Sequence, residues 1–143
     1  MSEPIVLERV IAASPSVVFS YLTNSEKWAR WQGDHATIRP ERGGIFALSM
    51  SNGTRARGQF VEVEQDRRVV FTWGWVDHPG VPPGSTTVEI ELFAEGDGTR
   101  LRLTHDGLPP DEVAIHTAGW EHYADRLVTT AEGRDPGPDV LPG

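Results

Sequence analysis

The chain has 143 residues, of which 38% are hydrophobic and 24% are charged, and its formal net charge is −8. That length fits one domain around a single core, and no apolar run approaches the roughly 18 to 20 residues of a membrane span. The negative charge gives no electrostatic reason to bind nucleic acid, and the absence of cysteine excludes disulfides, thiolate nucleophiles and cysteine-ligated metal centres.

The N-terminal stretch MSEPIVLERV leads directly into a strand-like pattern, which predicts a β-strand at residues 5–11. It lacks the basic start, the apolar middle and the cleavage site of a secretory signal. We therefore expect a cytoplasmic protein without a membrane partner.

Two short helices are predicted after this strand. Ser14 can cap a helix and Pro15 suits its first position, and the apolar residues that follow recur at helical spacing as far as Thr23. A second helix is expected from residue 25 in the segment SEKWARW. Its Trp28 and Trp31 lie three residues apart on one side, where they close one end of the core.

The middle of the chain is predicted to form strands joined by turns. Alternating apolar and polar residues indicate strands at 45–50, 54–64, 69–76, 86–93 and 99–105. The segment DHPGVPPGS at residues 77–85 contains three prolines and two glycines, so it is predicted to be a loop at the rim of the domain.

A long amphipathic pattern follows near the C-terminus. His116, Trp120, Tyr123, Leu127 and Ala131 recur at spacings of four, three, four and four residues, which predicts a helix of about twenty residues that ends near residue 133. The remaining residues, 134–143, are rich in proline and glycine, and we expect them to be a flexible, loosely packed tail.

This order of elements indicates an α+β fold. One helix covers only part of an antiparallel sheet of six to seven strands, so the twisted sheet must curve around the long C-terminal helix to bury its inner face. We expect one domain over residues 1–133, with two short helices after the first strand, followed by the tail at 134–143.

Seven segments follow one another along this domain: RVIAASPSVVFSYLT, EKWARW, GGIFALSM, GQFVEVEQDRRVVFTW, TTVEIEL, GTRLRLTHDGLP and AGWEHYADRL. In this order they resemble the START-like helix-grip (SRPBCC) superfamily, and within it the bacterial branch named after the activator of heat-shock-protein-90 ATPase, also called polyketide-cyclase-like. The resemblance implies the helix-grip fold. It leaves the function open, because the branch includes ligand carriers, cyclases, stress-response proteins and a toxin-sequestering resistance protein.

The strand predicted at 69–76 carries two tryptophans on one face, since Trp73 and Trp75 are separated by a single residue. They either fill the core or line a ligand cavity, and we expect Gly74 between them to lie on the outer face without a role. For a cavity, residues 77–85 are the expected gate. The expected ligand contacts are Phe46, Met50, Trp73, Trp75, His105, His116, Trp120 and Tyr123.

Two histidines are the candidate polar groups of such a cavity. His105 continues the inward-facing alternation of its strand, and His116 lies on the apolar stripe of the last helix. They are also the weak candidates for acid–base catalysis, together with Glu62, whose orientation is ambiguous because Phe60 competes with its neighbours for the inside. No histidine spacing indicates a metal site, and no phosphate or nucleotide motif is present, so we expect neither metal nor cofactor.

Three hypotheses about function follow. The first is a binding protein for a hydrophobic small molecule, aromatic, polycyclic or lipid-like, held between the sheet and the last helix without obligate catalysis. The second is a cyclase or aromatase that uses a cavity histidine. The third is a co-chaperone-like interaction module, which requires a large exposed apolar patch. Either a monomer or a homodimer is compatible with the sequence.

Overall fold

The structure is a computed structural model in which residues 3–139 are described. Seven strands and three helices follow one another along this part of the chain. In chain order they are β1 (Ile5–Ile11), α1 (Pro15–Thr23), α2 (Ser25–Trp28), β2 (His35–Ile38), β3 (Ile45–Ser49), β4 (Arg55–Glu64), β5 (Arg68–Trp73), β6 (Thr86–Glu95), β7 (Gly98–Asp106) and α3 (Pro110–Ala131).

The strands form one curved antiparallel sheet in the order β1-β7-β6-β5-β4-β3-β2. The first strand pairs with the last, with Leu7 opposite Leu103, and the strands between them form a meander. This arrangement confirms the predicted helix-grip fold. A strand that the sequence did not predict, β2, adds four residues at one edge, since the segment HATI is too short to show a recognisable alternation.

Both short helices begin where their sequences predict. The side chain of Ser14 caps α1 by accepting a hydrogen bond from the N–H of Val17. Helix α2 is a single turn, shorter than expected, because the chain continues in i to i+3 turns after Trp28. The ring of Trp31 nevertheless packs against that of Trp28, with 4.9 Å between the ring centroids, and Trp28 contacts Phe46 in the core.

Helix α3 lies on the concave face of the sheet and buries the predicted stripe. All five residues of that stripe are buried, together with Ala124 and Thr130. Within residues 3–139, no helix is long and apolar enough to cross a bilayer.

The sequence left open which residues of β4 face the core, and a shift in the pairing of β4 with β5 decides this. Phe60 faces Phe71 and is buried, but the register shifts after it, so that Glu62 pairs with Val70. The extra residue exchanges the two faces of the strand, which is the effect of a β-bulge. Glu62 therefore lies on the outer face, where its carboxylate accepts a hydrogen bond from Arg68, and it is not a residue of the interior.

The described part of the tail, residues 134–139, packs against α3. The guanidinium of Arg126 donates to the backbone carbonyls of residues 136–138, and the buried carboxylate of Asp139 accepts hydrogen bonds from Tyr123 and the backbone N–H of Gly33. A backbone rich in proline and glycine thus still offers carbonyl acceptors to α3, although most of these residues are exposed. Residues 140–143 lie outside the described part, and flexibility of the tail stays a prediction.

Candidate functional site

Five predicted ligand contacts meet at one end of the interface between the sheet and α3. We call them the tryptophan–histidine cluster; they are Trp73, Trp75, His105, His116 and Trp120. Strands β5 and β7 are both antiparallel to β6, so they run in the same direction and their C-terminal ends lie at the same edge. Trp73 is the last residue of β5, and His105 lies near the end of β7. Helix α3 begins shortly after β7, which brings its first half over both strands.

The rings of the cluster are in direct contact with one another. Ring centroids are 5.3 Å apart for Trp73 and Trp120, 5.2 Å for Trp73 and Trp75, and 5.7 Å for His105 and His116. These separations are typical of favourable tilted and edge-to-face aromatic pairs. The predicted cavity walls are therefore brought together, and in this structure they pack against each other.

His105 is held by hydrogen bonds at both ring nitrogens. Its Nδ1 accepts from Nε1 of Trp120 at 2.9 Å, and its Nε2 lies 2.8 Å from Oγ1 of Thr86. An indole nitrogen only donates, so Nδ1 must be unprotonated and Nε2 carries the proton. The hydroxyl oxygen of Thr86 accepts a hydrogen bond from Nε2–H of His105, and the hydroxyl in turn donates to the backbone carbonyl of Trp73.

His116 has the opposite tautomer for the same reason. Its Nε2 accepts from Nε1 of Trp75 at 2.9 Å, and its Nδ1 donates to the backbone carbonyl of Glu112 at 2.9 Å. Each histidine thus uses its unprotonated nitrogen to satisfy a tryptophan. Neither nitrogen is available as a general base unless that tryptophan moves away.

Burial keeps both imidazoles neutral. Desolvation, together with the smaller effect of the neighbouring His116, lowers the pKa of His105 to about 3. Desolvation also lowers the pKa of His116, although the hydrogen bond to the carbonyl of Glu112 and its carboxylate act in the opposite direction. The cluster therefore carries no charge at neutral pH.

Stability is expected to decrease as the pH falls from about 6.5 towards 3, because the unfolded chain protonates His105 and the folded chain resists it. The contribution is fully present above the unfolded pKa, and it is lost at up to about 1.4 kcal/mol per pH unit for each such histidine. Urea unfolding between about pH 5 and 6.5, above the range of most carboxylates, measures this slope. His105→Gln should reduce the slope and the exposed His35→Gln should preserve it; equal slopes would contradict the assignment.

One polar group of the cluster lacks a partner. Nε1 of Trp73 is buried and makes no hydrogen bond to any described residue, although the side chain is only 2% exposed. A buried donor without an acceptor costs about 1 to 3 kcal/mol. The other two indole N–H groups of the cluster, on Trp75 and Trp120, are both satisfied by histidines.

The loop at 77–85 covers the cluster through Trp75. The backbone N–H of Trp75 donates to the carbonyl of Val81 at 2.7 Å, and the N–H of Val76 donates to the carbonyl of Arg55 at 2.9 Å. Val81, a residue of this loop, is fully buried. Strand β5 ends at Trp73, earlier than predicted, and Trp75 is joined to the sheet by a single bridge to Ala56. Trp75 is therefore only partly buried, and we call the segment of residues 75–85, which includes Trp75 and the loop, the cover of the cluster.

Gly74 has a structural role that the sequence analysis missed. We expected it on the outer face of a strand, but it is buried beneath the loop. A Cβ at this position would lie 1.8 Å from the carbonyl oxygen of Pro82. The loop can therefore close over the cluster only because residue 74 has no side chain.

A second connection joins the loop to α3. Nε2 of His78 lies 3.4 Å from a carboxylate oxygen of Glu112, whose other oxygen lies 3.6 Å from Nδ1 of His116. Glu112 thus contacts both the cover and the cluster. The loop is the only candidate gate that the sequence predicted, and its position over Trp75 is compatible with that role.

The other three predicted contacts lie elsewhere. Phe46 is at the centre of the core, where its ring stacks on Phe71 at 4.2 Å and approaches Trp73 at 5.7 Å. Tyr123 lies at the opposite end, where burial and the hydrogen bond to Asp139 raise its pKa. Met50 lies there too, beside Gly33.

An open groove marks that opposite end of the domain. Its volume is about 670 Å³, and Tyr21, Arg30, Arg126 and the tail are among its walls. Neither Met50 nor Tyr123 lines it. The structure therefore divides the eight predicted contacts between the cluster, the core centre and the tail-proximal end.

Comparison with known proteins identifies the family. The family model described as Activator of Hsp90 ATPase homolog 1-like protein matches residues 12–132, which include the whole cluster. The chain belongs to this AHSA1-like family. No functionally curated protein matches the sequence.

Solved structures agree with this assignment. An AHSA1-like protein from Rhizobium etli is 46% identical, with a TM-score of 0.74, and the match covers 100% of this chain and 91% of that one. CalU16 from Micromonospora echinospora is 28% identical, with a TM-score of 0.75 and coverage of 91% and 76%. The Aha1 dimer from Colwellia psychrerythraea is 18% identical, with a TM-score of 0.80 and coverage of 92% and 98%, and it supports the fold alone.

Thr86 is a hydrogen-bonding partner of the cluster that sequence reasoning missed but could have found. It shares the inward parity of Val88 and Ile90 on β6, and it lies directly opposite Trp73. Glu112 and Val81 gave no comparable signal, because one is a helix-surface carboxylate and the other lies in an irregular loop. In residues 3–139, no group of three or more histidines and carboxylates is arranged to hold a metal ion.

Proposed function

We propose that this AHSA1-like domain binds a hydrophobic small molecule, aromatic, polycyclic or lipid-like, between the sheet and α3, without obligate catalysis. The observation that carries the proposal is the gathering of three tryptophans and two neutral histidines beneath a separate loop. Apolar walls with a few convergent polar groups are typical of small-molecule sites. The ligand contacts in this proposal are the cluster residues, with Phe46 at the inner wall.

Binding requires the cover to open, because the rings of the cluster touch one another. The loop is held by a few backbone hydrogen bonds and by the pair between His78 and Glu112. Outward movement of the loop takes Trp75 with it and separates its ring from His116. The apparent affinity is then reduced by the fraction of molecules that are closed.

The ligand is expected to be uncharged. Both histidines of the cluster are neutral, and the charged side chain that approaches His116, that of Glu112 at 3.6 Å, is an anion. An anionic ligand would lose its hydration and gain no cationic partner in this place. Neutral polycyclic compounds are therefore preferred over fatty acids.

The two other hypotheses receive less support from the site. A cyclase that uses His105 or His116 would need a ring nitrogen aimed at the substrate, and each unprotonated nitrogen accepts an indole N–H instead. An interaction module would need one apolar patch, whereas the large exposed apolar side chains of residues 3–139 are spread over five elements. The assembly, monomer or homodimer, stays a prediction; the relative from Colwellia psychrerythraea is a dimer.

Native mass spectrometry of freshly purified protein, with a thermal-shift screen of neutral polycyclic aromatics and fatty acids, tests the proposal. We expect a co-purified ligand or a reproducible rise in melting temperature, together with quenching of tryptophan emission. Trp75→Phe should change the affinity, because the cover loses its hydrogen bond to His116. Tyr21→Phe, at the opposite end of the domain, should bind as the wild type does. An unliganded mass without any shift or quenching would count against a binding function.

A further inference from the structure

We infer that the ligand is a flat, neutral aromatic with two polar groups: an oxygen that accepts a hydrogen bond from Nε1 of Trp73, and a hydroxyl that donates to Nε2 of His116. This inference rests on the proposed binding function and specifies the chemistry of that site. It follows from counting the donors and acceptors of the cluster in its closed and open states.

The donor is Nε1 of Trp73. In the cluster, the N–H groups of Trp75 and Trp120 are bonded to histidines, and His105 donates to Thr86. Nε1 of Trp73 has no partner among the described residues and is enclosed by aromatic rings. A ligand oxygen placed there would satisfy a donor that the closed protein leaves unpaired.

The acceptor becomes available when the cover opens. Trp120 is 3% exposed on α3, and its bond to His105 belongs to the helix–sheet interface. Trp75 belongs to the segment that the loop holds, so its outward movement exposes Nε2 of His116 as an acceptor. The tautomer of His116 is set by its bond to Glu112 and survives the opening. An open site therefore offers one donor and one acceptor.

The shape of the ligand follows from the group that it replaces. The indole of Trp75 is planar and uncharged, and its N–H is directed at His116. Its ring contacts that of Trp73 edge-on, with an interplanar angle of 83°. In the closed state Trp75 thus occupies the position of a flat aromatic donor. A ligand that takes this position needs the same planarity and a donor such as a hydroxyl, together with the acceptor for Trp73.

A series of fluorene derivatives tests the acceptor oxygen, the hydroxyl and the absence of charge one at a time. Fluorene has neither group, 9-fluorenone has the acceptor, 2-hydroxyfluorene has the hydroxyl, 2-hydroxy-9-fluorenone has both, and fluorene-2-carboxylate is an anion of similar size. Dissociation constants are measured by fluorescence titration for the wild type, Trp73→Phe and His116→Phe. In the wild type, each polar group should tighten binding by up to about tenfold relative to fluorene, the range of one hydrogen bond, and the carboxylate should bind most weakly.

The variants assign each gain to its residue. Trp73→Phe should remove the advantage of the carbonyl, and His116→Phe should remove the advantage of the hydroxyl. Each advantage is measured as the ratio of the dissociation constants of fluorene and its derivative in the same variant, so that a change in the affinity for fluorene itself cancels. If the variants do not fold, the indole N–H resonances of the wild type provide a second measurement. The resonance of Trp73 should shift with 9-fluorenone more than with fluorene.

The outcomes distinguish this inference from the proposal on which it rests. Equal affinity of the wild type for fluorene and all its oxygenated derivatives would overturn the inference and leave the binding function intact. Tightest binding of the carboxylate would also overturn it. If no derivative binds and no compound of the earlier screen does, the proposed function is wrong and the inference falls with it.

Discussion

The substitution His105→Ala is expected to lower the free energy of unfolding by about 3 to 5 kcal/mol. His105 is 1% exposed, and from β7 its side chain contacts Thr86 of β6 and Trp120 of α3. Its removal leaves a cavity in the core and deprives the N–H of Trp120 and the hydroxyl of Thr86 of a partner each. Both terms act in the same direction, since cavities and unpaired buried donors are each destabilising. Urea unfolding followed by circular dichroism measures the difference.

The matched control is His35→Ala. His35 is exposed at the start of the edge strand β2, so we expect a change within about 0.5 kcal/mol. A loss below about 1 kcal/mol for His105→Ala would contradict the assigned hydrogen bonds. Trp120→Phe removes the donor together with part of the buried ring. It provides an independent check, because the hydrogen-bond part of its effect should disappear when His105 is already replaced, while the cost of the lost ring volume should remain.

The substitution Gly74→Ala is expected to displace the cover and to lower the free energy of unfolding by about 1 to 3 kcal/mol. The added Cβ would lie 1.8 Å from the carbonyl oxygen of Pro82, and neither backbone segment can move without breaking hydrogen bonds of the loop. Exposure of Trp75 should follow. Acrylamide quenching of tryptophan emission reports that exposure, and stopped-flow binding reports easier access to the cluster.

Gly119→Ala is the control for this substitution. Gly119 lies in the interior of α3, and a Cβ there meets no atom within 4 Å. Alanine in a helix interior should therefore raise the free energy of unfolding by up to about 1 kcal/mol, without any change in quenching. If Gly74→Ala left both stability and quenching unaltered, the close approach of Pro82 to residue 74 would be contradicted.

Stability of the closed form and ligand binding oppose each other in this domain. The bond between Trp75 and His116 helps to hold the cover closed, and the same bond must break when a ligand enters. Interactions that stabilise the closed form therefore lower the apparent affinity. The hydrogen bonds of His105 to Trp120 and Thr86 do not oppose ligand binding, because they persist in the open state that we propose.

Several features of the site could be predicted from local sequence pattern. The alternation of β7 placed His105 inside, and the spacing on α3 placed His116, Trp120 and Tyr123 on its buried face. Periodicity reports the face of a residue because it depends only on the backbone geometry of one element. The helix cap at Ser14 was predictable for the same reason.

Contacts between different elements could not be predicted from the residue pattern of a single helix or strand. Tyr123 and Trp120 share a face of α3, yet Tyr123 contacts Asp139 of the tail and Trp120 contacts His105. Their separation depends on where the helix crosses the sheet. Gly74 and Pro82 are eight positions apart in a region without periodicity, so the sequence contained no signal of their contact.

The sequence by itself determined the order of every element except β2 and the inward faces of β7 and α3, because each depends on residues that are close together in the chain. The family followed from the order of seven such segments. Only the tertiary structure decided which inward residues meet, which tautomer each histidine has and which donor, that of Trp73, is left without a partner. Those properties depend on the curvature of the sheet and the angle of α3. These in turn are set by contacts across the interface between the sheet and α3, such as the hydrogen bond from Trp120 to His105.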